Sequence, residues 1–217
     1  MQISIGNIFG GTLRLAATDA AFVLILMAAL TLLTVLCDVY APNAVLLLSI
    51  TTVVAHFFVL RRLIDRHGLS SSDRLGGFGG FFGVGVLSGL AIFAGALALI
   101  LPALFLAARW GIANSVLIAE DSTVSAAMAK SWHGTKGHSL AVMVALLLLL
   151  LPGLAGAAGV IAIGYFDVSM ADSGTIGLDA LANALISVSQ VAGWYFEVAL
   201  YALLVGSPSD ALNEVFA

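Results

Sequence analysis

The chain has 217 residues, 61% of them hydrophobic and only 9% charged, and its formal net charge is −4. A soluble domain carries about 25% charged residues, so this chain lacks the polar surface of a water-exposed fold, and lipid must solvate much of it. The negative charge excludes nucleic acid as a partner, because phosphates are neutralised by clustered lysines and arginines. Composition and length together predict a single membrane domain over residues 1–217.

Residues 4–17 are predicted to form an amphipathic helix that lies in the membrane interface. Ser4 suits the N-cap position of this helix, and Asn7 and Arg14 fall opposite its apolar face. The apolar residues at helical spacing are Ile5, Ile8, Phe9, Leu13 and Ala16.

Two membrane spans are predicted next. The first covers Ala20–Tyr40, and a tight turn at Ala41–Asn43 leads into the second, which covers Ala44–Leu60. The second span ends in the basic segment Arg61–His67, and a short polar loop, Gly68–Arg74, follows it. We therefore expect a pair of helices whose connection and ends lie on opposite sides of the membrane.

The apolar stretch Gly76–Ala119 decides how many times the chain crosses. Its 44 residues are too many for one helix, since one crossing takes roughly 20 residues, and are just enough for two. Pro102 marks the place where a break or turn is expected. After a polar segment, the remaining spans are predicted at Ser139–Ile163, bent near Pro152, and at Leu181–Val205.

The distribution of positive charge favours six crossings over five. With six, seven of the eight basic residues share the cytoplasmic side with both termini, as the positive-inside rule expects. With five, Arg109 and the two lysines move outside, and the acidic loop Tyr165–Asp179 moves inside. The seven basic residues are Arg14, Arg61, Arg62, Arg66, Arg74, Lys130 and Lys136. The acids left outside in the six-span arrangement are Asp38, Asp167, Asp172 and Asp179.

A second interfacial helix is predicted within Asp121–His138. Asp121 or Ser122 is the expected cap, and Lys130 is expected to point away from the apolar face. That face carries Val124, Met128 and Trp132. The residues expected to anchor this segment at the level of the lipid headgroups are Trp132, Lys130 and Lys136.

The glycine-rich stretch between Gly76 and Gly89 predicts close helix packing rather than a phosphate site. No frame of it gives Gly-x-Gly-x-x-Gly, and no lysine follows it. Pairs of glycines four residues apart let helices approach closely in lipid, and they are Gly76/Gly80, Gly79/Gly83 and Gly85/Gly89. The four histidines of the chain lack metal-ligand spacing, so neither a metal nor a cofactor is expected.

Arg109 and Glu197 are charged residues inside apolar runs, where an unpaired charge costs at least about 2.5–3.5 kcal/mol. Their matched positions within their spans predict an ion pair, which Asn114, Asn183 and Gln190 could complete with polar groups. The functional interpretation is a polar site for a lipid headgroup, an ion or a proton. The structural alternative is a buried ion pair, or charges that extend to the membrane surface.

Several segments resemble the signature of a known family. They are similar to the YciC-like proteins and to the membrane domain attached to some bacterial glycerophosphodiester phosphodiesterases, although Ala103 stands where that family usually has glycine. The segments are Leu101–Trp110, Val116–Glu120, Ser125–Ala127, Lys130–Trp132 and Thr135–His138. The resemblance implies a multi-pass bacterial inner-membrane protein of about six helices with a role near lipids, and it supplies no catalytic residues.

The sequence predicts an all-α polytopic helix bundle with two interfacial helices and no enzymatic activity. The favoured function is an accessory or scaffold protein that binds membrane lipid, another membrane protein or a second copy of itself. The alternative is a small transporter or channel with a polar site built around Arg109, Glu197, Asn114 and Gln190.

Overall fold

A computed structural model of the chain describes residues 4–41, 43–165 and 173–205. Over these residues the chain forms helices and no strands, which confirms the predicted all-α fold. The helices are α1 (Ile5–Thr18), α2 (Ala20–Tyr40), α3 (Val45–Arg66), α4 (Phe78–Ala98), α5 (Ile100–Arg109), α6 (Ala113–Glu120), α7 (Val124–Gly134), α8 (Ser139–Tyr165) and α9 (Ser173–Val205).

Six segments of the described chain are long and apolar enough to cross a membrane. Five of them are single helices, and the fourth, Ile100–Glu120, consists of α5 and α6 together. The single helices are α2, α3, α4, α8 and α9. The protein is therefore a polytopic membrane protein with six candidate spans, and the orientation of its termini stays a prediction.

The boundaries of the spans differ from the prediction in two places. Helix α3 continues through the arginines to Arg66 rather than ending at Leu60. Helix α9 begins at Ser173, well before Leu181, and its early part is held by a hydrogen bond from Asn183 Nδ2 to Asp179 Oδ1 at 3.1 Å. Pro42, residues 166–172 with Asp167 and Asp172, and residues 206–217 lie outside the described residues.

The break between the third and fourth spans lies at Leu99, three residues before Pro102. Leu99 is extended, with φ −169° and ψ 156°, and it alone separates α4 from α5. Pro102 instead occupies the first turn of α5, where its missing N–H is not needed for the helix. Gly95 lets the two helices approach, because a Cβ there would lie 3.1 Å from the backbone nitrogen of Ala103.

The chain divides into two compact units. The first unit comprises Met1–Leu15, His56–Leu147 and Trp194–Ala217, and the second comprises Ala16–Ala55 and Leu148–Gly193. The prediction of one membrane domain over residues 1–217 stays a prediction.

The core of the first unit is built around α6, whose residues are almost all buried. Glycines of the loop and of α4 make this packing close. A Cβ at Gly76 would overlap the carbonyl oxygen of Leu117, and a Cβ at Gly80 would lie 3.0 Å from the Leu117 side chain. The predicted packing role is thus confirmed for Gly76/Gly80, whereas Gly85 and Gly89 have no described atom within 4 Å of such a Cβ.

Helix α1 has the predicted cap, and one of its faces is buried in the protein. The Ser4 hydroxyl accepts a hydrogen bond from Asn7 N at 3.2 Å. Leu13, predicted to be on the apolar face, is 68% exposed, because five residues after Ile8 it has turned about 140° away along a helix. The residues that are buried are Ile8, Gly11, Thr12 and Leu15, which have the spacing of a single helical face.

Helix α7 begins later than predicted, and the residues that it buries in the protein lie beside the predicted apolar stripe. Its cap is Thr123, whose hydroxyl accepts from Ala126 N at 3.4 Å. Asp121 has instead the left-handed conformation that ends α6, with φ 46° and ψ 43°. The buried residues of α7 are Ala127 and Ser131, while Lys130 is exposed as predicted.

The second unit contains a helix that continues through a proline. Helix α8 runs past Pro152 without ending, so the predicted bend is not an interruption. The hydroxyl of Ser189 in α9 lies between two backbone groups of α8 beside the proline. It accepts from Gly153 N at 2.7 Å and donates to Leu149 O at 2.8 Å. A Cβ at Gly156 would overlap the carbonyl oxygen of Ala182, so the two helices pack closely here.

Candidate functional site

The fourth candidate span is interrupted at residues 110–112, between α5 and α6. Such a break leaves the last carbonyls of one helix and the first N–H groups of the next without partners inside their helices. In a membrane protein these groups must find partners from elsewhere in the chain, because lipid offers none. The first unit supplies these partners from α7 and α9.

Two hydroxyl groups, one in α7 and one on the residue after it, satisfy the end of α5. The carbonyl oxygen of Arg109 accepts hydrogen bonds from Ser131 Oγ at 2.9 Å and from Thr135 Oγ1 at 3.3 Å. The Ser131 hydroxyl also accepts from Ile112 N at 3.4 Å, so one side chain contacts both sides of the break. Ser131 and Thr135 are four residues apart and therefore share one side of their segment.

A carboxylate satisfies the beginning of α6. Glu197, only 9% exposed, accepts a hydrogen bond through Oε1 from Ser115 N at 3.0 Å. Ser115 is the third residue of α6, so its N–H is one of those that lack a partner within the helix. A negative charge is favoured at this position by the partial positive charge of a helix N-terminus.

The other oxygen of Glu197 faces a histidine. His56 Nε2 lies 3.2 Å from Glu197 Oε2, which is close enough for an ion pair, although its angle does not make a hydrogen bond. The imidazole is stacked on the Trp194 ring, with centroids 5.1 Å apart and planes 10° apart, and it meets the edge of Phe81 at 5.1 Å. The ring is thus fixed beside the carboxylate by aromatic contacts.

The predicted ion pair between Arg109 and Glu197 is wrong. Arg109 is 5% exposed, its Nη1 donates to Ser139 Oγ at 3.3 Å, and its guanidinium carbon lies 4.3 Å from the centre of the Trp132 ring. The two charges need no direct contact, because the break presents a helix C-terminus to the arginine and a helix N-terminus to the glutamate. Each charge is therefore balanced at its own side of the interruption.

The other two predicted site residues differ in their placement. Asn114 lies in the first turn of α6, and its Oδ1 is buried without a hydrogen bond to any described residue. Gln190 belongs to the second unit. Asn183, also considered for this site, donates in the second unit to Asp38 Oδ2 at 3.1 Å.

His56 is a site residue that the sequence pattern does not identify, because a single histidine in an apolar span lacks metal-ligand spacing. The signal that could have identified it is that His56 and Glu197 are each a lone ionisable residue within a predicted span. The rule that buried charges find partners applies to that pair as well as to Arg109 and Glu197.

At the far end of α6, hydrogen bonds join the loop after α3 to this helix. Ser71 N donates to Ala119 O at 3.0 Å, and Gly76 N donates to Ile118 O at 2.9 Å. Glu120 binds Lys130 Nζ through both oxygens at 2.7 Å and accepts from Tyr201 Oη at 3.2 Å. Within this loop, burial and then the charge of Arg66 lower the pKa of His67.

The three predicted interfacial anchors also have defined surroundings. Trp132 contacts Arg109 and the ring of Trp110, and Lys130 is bound to Glu120, whereas Lys136 is exposed. Their contact with lipid headgroups stays a prediction. Among the described residues, no group of three or more His, Cys, Asp or Glu side chains could hold a metal ion.

No family model, no curated protein and no solved structure matches this chain. The resemblance to the YciC-like proteins therefore stays a prediction that depends on the motif residues alone. Arg109, Ser131 and Thr135 lie in three of the motif segments, Leu101–Trp110, Lys130–Trp132 and Thr135–His138, and the hydrogen bonds among them complete the end of α5.

Proposed function

We propose that this protein is a non-enzymatic scaffold or accessory protein of a bacterial inner membrane, and that it binds anionic lipid at the basic end of its first unit. The basic end is the set of exposed cationic side chains on α3, on the loop after it and around α7. These side chains are Arg61, Arg62, Arg66, Arg74, Lys130 and Lys136.

One observation supports the proposal above the others. The loop after α3 is bonded to Ala119 and Ile118 at the end of α6, and Lys130 of α7 is bonded to Glu120 at the same place. The loop that carries Arg74 and the side chain of Lys130, which lie in separate parts of the sequence, thus meet at the same end of α6. Such a surface attracts anionic lipid headgroups by about 1 kcal/mol for each basic residue near the membrane.

The test compares charge removal with charge retention at three exposed positions. The protein is placed in nanodiscs of phosphatidylcholine with increasing phosphatidylglycerol, and bound lipid is identified by native mass spectrometry. We expect the variant Arg61→Gln/Arg74→Gln/Lys136→Gln to lose its preference for the anionic lipid. The matched variant Arg61→Lys/Arg74→Lys/Lys136→Arg keeps the charge and should retain the preference.

Two outcomes would reject lipid binding at this surface. Equal enrichment of phosphatidylglycerol in both variants would show that the basic end does not select lipid. A protein that co-purifies stoichiometrically from the membrane, and is lost from the glutamine variant alone, would show that the basic end binds a protein partner.

A small transporter or channel is the second candidate, and the interrupted span is the observation that favours it. Transporters use discontinuous helices whose ends bind ions or substrate. Glu197 and His56 lie at one such helix end, and Arg109 Nε and Asn114 Oδ1 are buried there without hydrogen bonds to described residues. Vesicles that contain the purified protein would then show an ion flux that the Glu197→Gln variant lacks.

A further inference from the structure

We propose that Glu197 and His56 form a proton-binding site, in which the bound proton neutralises the negative charge held at the start of α6. The proposal is independent of lipid binding at the basic end, and it names the ligand that the second candidate function would use. It depends on the contacts of these two side chains within the first unit.

Both oxygens of the Glu197 carboxylate are engaged by different elements. Oε1 accepts from the Ser115 amide of α6, and Oε2 faces His56 Nε2 of α3. The rings of Phe81 and Trp194, which also pack against the imidazole, are uncharged. The Arg109 guanidinium contacts Ser139 and Trp132.

The charge of the pair gives the reason for proton uptake. With a neutral imidazole, the pair carries a full negative charge, which the α6 N-terminus offsets with only about half an elementary charge. A proton taken from water by the imidazole leaves an imidazolium beside a carboxylate, and the pair becomes neutral. No other bond forms or breaks, and both imidazolium nitrogens then carry a proton.

Both side chains are largely covered by other groups: the His56 side chain is 21% exposed and the Glu197 side chain 11% exposed. The proton is held by the imidazole, and Glu197 supplies the negative charge that it neutralises. Glu197 acts as the acceptor for α6 in both states, so the helix start persists when the proton leaves.

Trp194 makes this site measurable. Its indole ring is stacked on the imidazole, and an imidazolium in contact with an indole quenches its fluorescence. The chain has three tryptophans, so the variant Trp110→Phe/Trp132→Phe leaves Trp194 as the single reporter. Phenylalanine at position 132 keeps an aromatic face for the Arg109 guanidinium.

In detergent, the emission of this variant should fall as the pH is lowered from 9 to 5, in one reversible transition. Adding His56→Phe should remove the transition, because the ring stacking remains but no proton binds. Adding Glu197→Gln should keep the transition but change its midpoint, because the carboxylate beside the imidazole is gone.

Two results would overturn the proposal. One is a Trp194 emission that does not change between pH 5 and 9 in a folded protein. The other is an unchanged midpoint in the Glu197→Gln variant, which would show that the carboxylate does not act on the imidazole.

If the tryptophan variant does not fold, the otherwise native protein can be labelled with ¹³C-histidine and titrated by NMR. The His56→Asn variant then identifies the His56 signal among the four histidines of the chain. The signals of His67, His133 and His138 serve as internal controls, and the same two results decide the outcome.

Discussion

The helical hydrogen bonding is interrupted at two places, one in each unit, and different side chains complete it at each place. In the first unit the chain leaves the helix between α5 and α6, and hydroxyl groups of Ser131 and Thr135 together with the Glu197 carboxylate complete the ends. In the second unit α8 continues past Pro152, and the single hydroxyl of Ser189 lies between Gly153 N and Leu149 O. The interruption that leaves more backbone N–H and C=O groups without helical partners is thus completed by three side chains, and the smaller one by a single hydroxyl.

The largest loss of stability is expected at Glu197, because it serves the interruption between α5 and α6, where more backbone groups lack helical partners. Glu197→Leu leaves the buried Ser115 N–H without an acceptor and His56 without an anion. Removing one partner of such a buried pair typically costs about 3–5 kcal/mol, and we expect a loss of that size in denaturant unfolding in detergent. Glu197→Gln keeps an oxygen for Ser115 N and should lose distinctly less. Equal losses would show that the helix start does not depend on this acceptor.

Arg109→Leu should cost about 2 kcal/mol, the size of a cation–π contact shielded from water. Because Arg109 and Glu197 have separate partners, combining Arg109→Leu with Glu197→Gln should give the sum of the two single losses to within about 0.5 kcal/mol. The same unfolding measurement decides this. A double variant that is clearly more stable than the sum would mean that the two charges compensate each other directly.

At the end of α5, Ser131→Ala should cost about 1–2 kcal/mol, because it removes the group bonded to both Arg109 O and Ile112 N. Thr135→Val is the matched control: it removes a second hydroxyl from the same carbonyl without changing the side-chain shape, and Ser131 still serves that carbonyl. We expect the smaller loss in the Thr135 variant. A larger loss in the Thr135 variant would show that Thr135, rather than Ser131, stabilises this helix end.

The smallest effect is expected in the second unit. Ser189→Ala should cost less than about 1 kcal/mol, because Gly153 N and Leu149 O are four residues apart and can bond each other once the hydroxyl is gone. Hydrogen exchange at Gly153 provides the measurement. Fast exchange at Gly153 in the variant, or a loss as large as that of Ser131→Ala, would show that the two openings are equivalent.

The features predicted well from sequence were those that local composition determines. Ala20–Tyr40 was predicted with both of its ends, because an apolar run bounded by polar residues specifies a span by length alone. The start of α6 was not predicted, because residues 110–112 contain no proline and remain mostly apolar. Its acceptor, Glu197, lies 82 residues further along the chain, so only the folded arrangement brings the two together.

The same distinction explains the error at Arg109 and Glu197. Charge inside an apolar run was a correct signal that each residue needs compensation. The sequence pattern offers only side-chain charges as partners, and Glu197 is the opposite charge at a matching position within its span. Helix ends provide partial charges of their own, and these become available only once the break between α5 and α6 is known.

The connection between α4 and α5 has a consequence for how the protein is made. Leu99 alone separates the two helices, and Gly95 packs against Ala103 directly across the turn. A linker of one residue is too short to let one helix enter the bilayer while the other waits at the translocation machinery. We therefore expect the two helices to enter the membrane together as a hairpin, and an epitope tag inserted after Leu99 should let them enter separately.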